Sequence, residues 1–490
     1  MKIVIAGSGT AGLISAIYLK QAFPGFNIEV ISSSSIGIIG VGEGSTEHWK
    51  VFQDYCGIDP VDMILKTDAT YKLGIKFEGW TKSVESYFHS VNSLGALHKG
   101  SFIPSYADSV LKNELLTHRF SSLGIEKNMI DADKDYPYHN NQFHFDTFKV
   151  NEYFVNIAKQ RGISFIDDEI VGINRDSESG FITSVCLKNN KDISGDFFID
   201  ASGFKRILMS NFENQEFVSY SEYLPCDSAI AFPTESDPSG EIRPYTRAIA
   251  MNSGWRWEIP TQKRRGNGYV FCSRYSSETD AIDELSKTFA REIIPARSFK
   301  FEPGYYKKTW QFNCVAIGLS AAFVEPLEAT SISTTIQQVM ILSSHLSTFN
   351  KNTKFGIDEY HKHIDSVMEN ILAMISMHYI SDRRDTPMWS EQVHMKKPDL
   401  VQRLLGLWQE RLPEAQDIPR TGFELFHVYH FYHVAQGQGL INLNNADIQL
   451  NAYDSKKIIN NWYNTFNHAR NLKRFVDHGM ALRGLYGRNR

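Results

Sequence analysis

KIVIAGSGTAG, Lys2 to Gly12, is the stretch that decides the architecture. Lys2 to Ala6 is a short apolar run of the kind a strand buried on both faces carries. Gly7 to Gly12 then fits GxGxxG between a strand and a helix, the setting that gives this pattern meaning. A helix is expected from Ala11 to about Gln21, with Leu13, Ile17 and Leu19 turned inward, and a second strand from Ile28 to Ile31. Together they make the opening βαβ unit of a nucleotide-binding fold. Gly7 permits the turn, Gly9 lets a pyrophosphate approach the backbone, and Gly12 lets helix and strand pack closely. The first amides of the helix, at Thr10 and Ala11, face the phosphates.

Working outward, two segments favour FAD over NAD. IGIIGVGEGST, Ile36 to Thr46, is a glycine-rich strap after the second strand, with Gly42, Glu43 and Gly44 as cofactor contacts. IDASG, Ile199 to Gly203, resembles the small-residue turn of many FAD-dependent oxidoreductases. The acidic ribose ligand usual at the end of the second strand is Ser32 here, a weaker partner. Further pieces of the domain are a helix near Lys149 to Arg161, strands around Ile163 to Ile173 and Phe181 to Leu187, and a strand from Phe197 to Ile199. From about Ser333 the pattern is mainly helical. Ile364, Val367, Met368, Ile371, Leu372 and Ile375 repeat at helical spacing, as core residues do.

The expected fold is therefore α/β: a Rossmann-like FAD-binding domain of the glutathione-reductase type, an interlocked substrate domain and a mainly helical C-terminal part. Residues 1–80 with about 145–335 form the FAD-binding core, about 81–144 a substrate-side insertion, and 336–490 the helical substrate-binding region. A chain of 490 residues with 42% hydrophobic side chains supports such a division. A net charge of −5 with scattered Lys and Arg argues against nucleic acid. Five cysteines without a CxxC pair indicate neither a metal site nor a disulfide framework and fit a cytoplasmic location. No signal peptide and no apolar run of the roughly 20 residues that span a bilayer are read, so no membrane role is expected. His361, His363, His378 and His394 do not have metal-ligand spacing. A homo-oligomer is left open.

GWRWEIP, Gly254 to Pro260, resembles the WxWxIP signature of the flavin-dependent tryptophan halogenases. YLPCDSAIA (Tyr223 to Ala231), PYTRAIAMNSGWRWEIP, IGLSAAFVEPLEATSI (Ile317 to Ile332) and RDTPMW (Arg384 to Trp389) occur in that family's order. The resemblance runs from the first strand to about residue 440. It implies an essential lysine in ATYKLGIKF at Lys72, with Lys76 as the rival, and an essential glutamate at Glu328. It also implies a halide held at Thr330 and Ser331, and adds Ile170 and Leu319 to the cofactor contacts. Where the family has Ser, Thr and Gly after the glutamate, this chain has Ala329, Thr330 and Ser331. Ser331 for glycine suggests an altered backbone or an added hydroxyl at the halide.

The chemistry the resemblance implies uses reduced FAD, O2 and chloride, bromide or iodide. A flavin hydroperoxide and halide give hypohalous acid, which halogenates an indole- or phenol-type ring. Lys72 positions the oxidant by hydrogen bonding or becomes a haloamine. Glu328 stabilises and deprotonates the cationic ring. Trp255 and Trp257 wall the flavin from the substrate, and His89 packs on the ring. YHFYHVAQGQG offers Phe431 and Tyr432 where the family has adjacent tyrosines for the amino-acid backbone of tryptophan. No hydride-donor site is evident, so a separate NAD(P)H-dependent flavin reductase is implied. A single-component aromatic monooxygenase and a non-catalytic flavin-binding scaffold are the alternative readings.

Overall fold

The computed structural model describes residues 1–37, 42–90, 102–112, 127–131, 142–350, 352–419, 422–453, 456–457, 460 and 475–488. The chain divides into two compact units. The first comprises Met1–Thr67, Phe145–Tyr220 and Glu302–Met368, and the second Asp68–His144, Ser221–Phe301 and Glu369–Arg490.

In the first unit, Lys2–Ala6 is a central strand of a six-stranded sheet. Parallel neighbours lie on both sides, Phe197–Asp200 and Asn27–Ser32. Beyond them run Cys314–Ala316 and Ser164–Asp167, also parallel, and Trp310–Gln311 closes one edge antiparallel. Burial on both faces explains the unbroken apolar run: Ile3, Val4 and Ile5 are fully buried. Helices Thr10–Ala22, Thr147–Gln160 and Thr330–Leu346 pack together in this unit. The second begins two residues before the expected Lys149 because the Asp146 carboxylate caps it, accepting from the amides of Phe148 and Lys149. Strands Ile170–Arg175, Ile182–Leu187 and Asp192–Ser194 form a separate antiparallel sheet.

The glycine turn has the anatomy its sequence requires. Gly7 has φ +110°, and a Cβ on Gly12 would lie 2.0 Å from the Gly7 carbonyl oxygen. A Cβ on Gly9 would meet nothing within 4 Å, so the backbone there is open to a ligand. Position 318 is glycine for a related reason: a Cβ there would come within 2.6 Å of the Ala11 Cβ. The IDASG turn is tied by buried Asp200, whose carboxylate accepts from the amides of Leu208 and Met209, each at 2.8 Å, and from the Ser202 and Ser320 hydroxyls.

The second unit is built on a seven-stranded sheet in the order Arg297–Lys300, Ser228–Glu235, Arg264–Phe271, Gly254–Pro260, Tyr245–Met251, Gly74–Glu78, Ser86–Ser90. Its pairs are antiparallel except Tyr245–Met251 with Gly74–Glu78. The C-terminal region is mainly helical, as expected, with Asp399–Glu410, Val428–Gly437 and Leu443–Ala452 in this unit. The six apolar residues from Ile364 to Ile375 are buried on helix Phe355–His378.

Gly12→Ala should destabilise the chain by about 1–3 kcal/mol, because the methyl group has backbone rather than a movable side chain against it. Thermal unfolding checks this; an unchanged midpoint would contradict the close approach.

Candidate active site

Cross-strand pairing in the second unit sorts the candidate residues onto two faces of its sheet. Gly268, Trp257, Ala248, Phe77 and Tyr87 form one row, and Ile259, Thr246, Ile75 and His89 the next on the same face. Trp255 shares that face, its ring 6.1 Å from that of Trp257. Trp257 needs glycine opposite, since a Cβ on Gly268 would lie 2.0 Å from the indole ring. The intervening row, Glu258, Arg247, Lys76 and Phe88, points to the other face. Lys76 there lies over the Phe88 ring, in a row where Arg247 is paired with Glu78. The two candidate lysines thus have different surroundings.

Lys72 is buried, on the connection between Thr70–Tyr71 and Gly74–Glu78. Three consecutive amides fix that connection. Tyr71 N–H donates to His478 Nε2 at 3.2 Å, Lys72 N–H to the Gln142 carbonyl at 3.0 Å, and Leu73 N–H to the Pro244 carbonyl at 2.6 Å. The Thr70 hydroxyl donates to the Pro260 carbonyl. His144 stands between Thr70 Oγ1 at 3.2 Å and Thr246 Oγ1 at 2.9 Å, linking the lysine segment to the tryptophan-bearing face. Burial, reinforced by the Lys72 charge, holds the His144 imidazole well below its ordinary value.

His89 is buried and its Nε2 is 2.9 Å from His430 Nδ1, with the His433 ring 5.8 Å away. His430 and His433 are one helical turn apart on Val428–Gly437, which packs on the His89 strand. Phe431 and Tyr432 lie on the same helix; Tyr432 stacks on Tyr106, and its hydroxyl donates to the Pro413 carbonyl. His430 and His433 are not marked by any sequence motif. The only local signal was their spacing of three beside the singled-out pair.

In the first unit, buried Glu328 ends the short turn Pro326–Glu328, and helix Thr330–Leu346 follows directly. Ala329 between them has φ 57°. A residue with a Cβ in this region costs about 1–2 kcal/mol. Ser331, for which the sequence suggests an altered backbone or an added hydroxyl, lies in the first turn of the helix, and the left-handed residue is Ala329. Among the described residues no side chain caps this helix, and the buried Thr330 Oγ1 has no hydrogen-bond partner. A helix start without a side-chain cap and a buried hydroxyl donor suit a small anion.

On the cofactor side, helix Thr10–Ala22 likewise has no side-chain cap and no acid in its first turn, which fits phosphate binding. Gly42 N–H donates to Thr147 Oγ1, and the Thr147 hydroxyl donates to Glu43. Burial lifts the Glu43 carboxyl to about 7. Gly44 is buried in the same segment, and Thr46 bonds Ser333 of helix Thr330–Leu346. Residues 38–41 of the strap lie outside the described residues. Ser32 pairs in register with Asp167 of the neighbouring strand, whose carboxylate accepts the Ser34 amide at 2.8 Å, so an acid stands beside the position where the second strand lacks one. Ile170 packs on the apolar core of this unit, and half-buried Leu319 sits in the turn Gly318–Ser320, anchored by Gly318 N–H to Gln338 Oε1 at 2.8 Å.

The buried histidines set an acid limit. Burial pushes His478 from 6.5 down to about 4. The folded chain keeps it neutral while the unfolded chain protonates near 6.5, so its contribution is complete above about pH 6.5 and is lost as pH falls toward 4. That shift corresponds to on the order of 3 kcal/mol. Stability should therefore fall between pH 6.5 and 4, and less steeply in His478→Gln. Identical pH profiles of the unfolding midpoint would contradict this.

A family model described as tryptophan halogenase matches residues 2–451. Tryptophan 6-halogenase SttH of Streptomyces toxytricini is 28% identical over 480 residues, 90% of each chain. Tryptophan 7-halogenase RebH of Lentzea aerocolonigenes is 29% identical over 435 residues, 83% of this chain and 82% of that one. Among solved structures, BrvH, a flavin-dependent halogenase from Brevundimonas sp. BAL3, superposes with a TM-score of 0.86 at 27% identity over 99% of each chain. The SttH structure gives 0.88 at 27% identity, again over 99% of each chain. With a glycine turn open to a phosphate, a paired-tryptophan strand and a match along nearly all its length, the chain belongs to the tryptophan halogenase family, as a flavin-dependent halogenase that acts on an aromatic substrate.

Proposed function

We propose that Lys72 and Glu328 carry the halogenation, with FAD held by the first unit and an indole- or phenol-type ring as substrate. When bound and supplied reduced by a separate NAD(P)H-dependent flavin reductase, FAD furnishes hypohalous acid from O2 and halide. Gly7, Gly9, Thr10, Ala11 and Gly12 cradle its phosphates, Ser32 takes the ribose, and Gly42, Glu43 and Gly44 lie over it, with Ile170 and Leu319 as further contacts. Thr330 and Ser331 hold the halide through helix N-terminal amides, aided by the Thr330 hydroxyl.

The observation that carries the catalytic assignment is the buried Lys72 on a segment fixed by hydrogen bonds from three consecutive backbone amides. A flexible lysine stem loses entropy when held, and this backbone anchor reduces what remains to be ordered during reaction. The ammonium of Lys72 presents the oxidant to the ring, by hydrogen bonding or as a haloamine. Glu328 steadies the cationic ring and takes its proton. Trp255 and Trp257 keep the ring from the flavin, and His89 packs against it. Tyr432, whose hydroxyl is engaged by Pro413, and Phe431 line the substrate side without a phenol pair for an amino-acid backbone. Free tryptophan therefore has little advantage over simple indoles.

The test compares Lys72→Ala with Lys76→Ala, assayed with FAD, a reductase, NADH and bromide. Lys72→Ala should lose at least a hundredfold in brominated product with FAD affinity unchanged, and Lys76→Ala less than tenfold. Equal product from Lys72→Ala and the parent would overturn the assignment.

A further inference from the structure

We infer that the C-terminal segment Phe475–Arg488 is a clamp that sets the position of Lys72, with His478 as the positioning residue. The inference rests on the catalytic reading of Lys72 and concerns a stretch beyond residue 451, where the family match ends.

The segment enters as strand Phe475–Asp477, paired antiparallel with Met129–Asp131, and continues as helix His478–Arg488. Leu482 and Leu485 are buried and anchor that helix. His478 is fully buried where strand becomes helix, and its backbone N–H donates to the Asn128 carbonyl at 3.1 Å. Its Nδ1 is 3.0 Å from the Ile242 carbonyl oxygen, which can only accept, so Nδ1 carries the proton. Nε2 is then a bare lone pair, and it accepts the Tyr71 N–H at 3.2 Å. Each of the two ring nitrogens has one role, and the acceptor for the residue preceding Lys72 comes from a side chain 407 positions away.

Of the three amides that fix the lysine segment, those of Lys72 and Leu73 go to backbone carbonyls, which any sequence supplies. That of Tyr71 alone goes to a side chain and is therefore a choice of residue. A second tie reaches the same segment by another route. The Tyr486 hydroxyl donates to Gln262 Oε1 at 2.9 Å, and Gln262 Nε2 donates to the Ala69 carbonyl at 2.8 Å. The clamp thus grips residues on either side of Thr70 from one short helix.

Without the Nε2 acceptor, the Tyr71 peptide turns to find another partner and carries the Lys72 stem with it. Oxidant is still made, and its delivery to the ring suffers. The test uses the full chain with FAD, reductase, NADH, bromide and indole. Halogenated product and hypohalous acid captured by a thiol trap are measured in the same sample. His478→Gln keeps an amide oxygen at the reach of Nε2, whereas His478→Asn and His478→Leu do not. We expect product per trapped oxidant to fall at least tenfold in Asn and Leu through kcat with KM for indole unchanged, to stay within about twofold in Gln, and to fall about two- to threefold in Tyr486→Phe. If Leu does not bind FAD, the Gln and Asn pair decides alone. Equal ratios in Gln, Asn and the parent, or product and oxidant falling in proportion, would overturn the clamp. Lys72→Ala, run alongside, separates the two readings: full product there sinks the role of Lys72 itself, while lost product there with an unaffected Asn variant sinks only the clamp.

Discussion

Backbone hydrogen bonding at Tyr71, Lys72 and Leu73 is the constraint around which the second unit is organised. A connection of this kind between two short strands would ordinarily direct its amides to water. Here each is captured by a different part of the chain: the C-terminal helix, Gln142 just before strand Phe143–Phe145, and Pro244 just before Tyr245. A buried amide without a partner costs about 1–3 kcal/mol, so the three contacts must form together or the segment moves. His144 and Thr246 extend this anchoring to the sheet face that carries Trp255, Trp257 and His89.

Strand parity does the rest of the sorting in that unit. Alternation places Trp255 and Trp257 together and sends Arg256 and Glu258 the other way, where Arg256 lies over Phe289. It also removes Lys76 from the tryptophan face, a separation that the repeated lysines of ATYKLGIKF do not reveal by themselves. In the first unit the comparable device is a left-handed Ala329 between the buried Glu328 and a helix that begins uncapped. Strain at one residue there accompanies an abrupt change from turn to helix, with no side-chain cap and the Thr330 hydroxyl without a hydrogen-bond partner among the described residues.

Much of the first unit was legible because its signals are local. A doubly buried strand must be apolar throughout, and Gly7 and Gly12 occupy positions where a side chain collides with backbone. The paired tryptophans were legible through spacing of two. What the sequence did not disclose depends on contacts between distant residues. His478 meets Tyr71 and His430 meets His89 across 407 and 341 positions, and a histidine in a polar C-terminal stretch carries no pattern that predicts either. Asp167, beside Ser32 on the neighbouring strand, was hidden for the same reason: register between parallel strands is not written in either strand alone. Ser331 drew attention as the departure from glycine, yet the unusual backbone belongs to Ala329, since dihedrals follow the helix start rather than the substitution.

This chain transfers halogen, rather than oxygen, to an aromatic ring. The most direct measurement is the mass spectrum of products from a simple indole incubated with the protein, FAD, a flavin reductase, NADH, air and bromide. A halogenase gives the bromine isotope doublet on the ring, absent without bromide and absent without reductase. A hydroxylated indole formed equally with and without halide would contradict it.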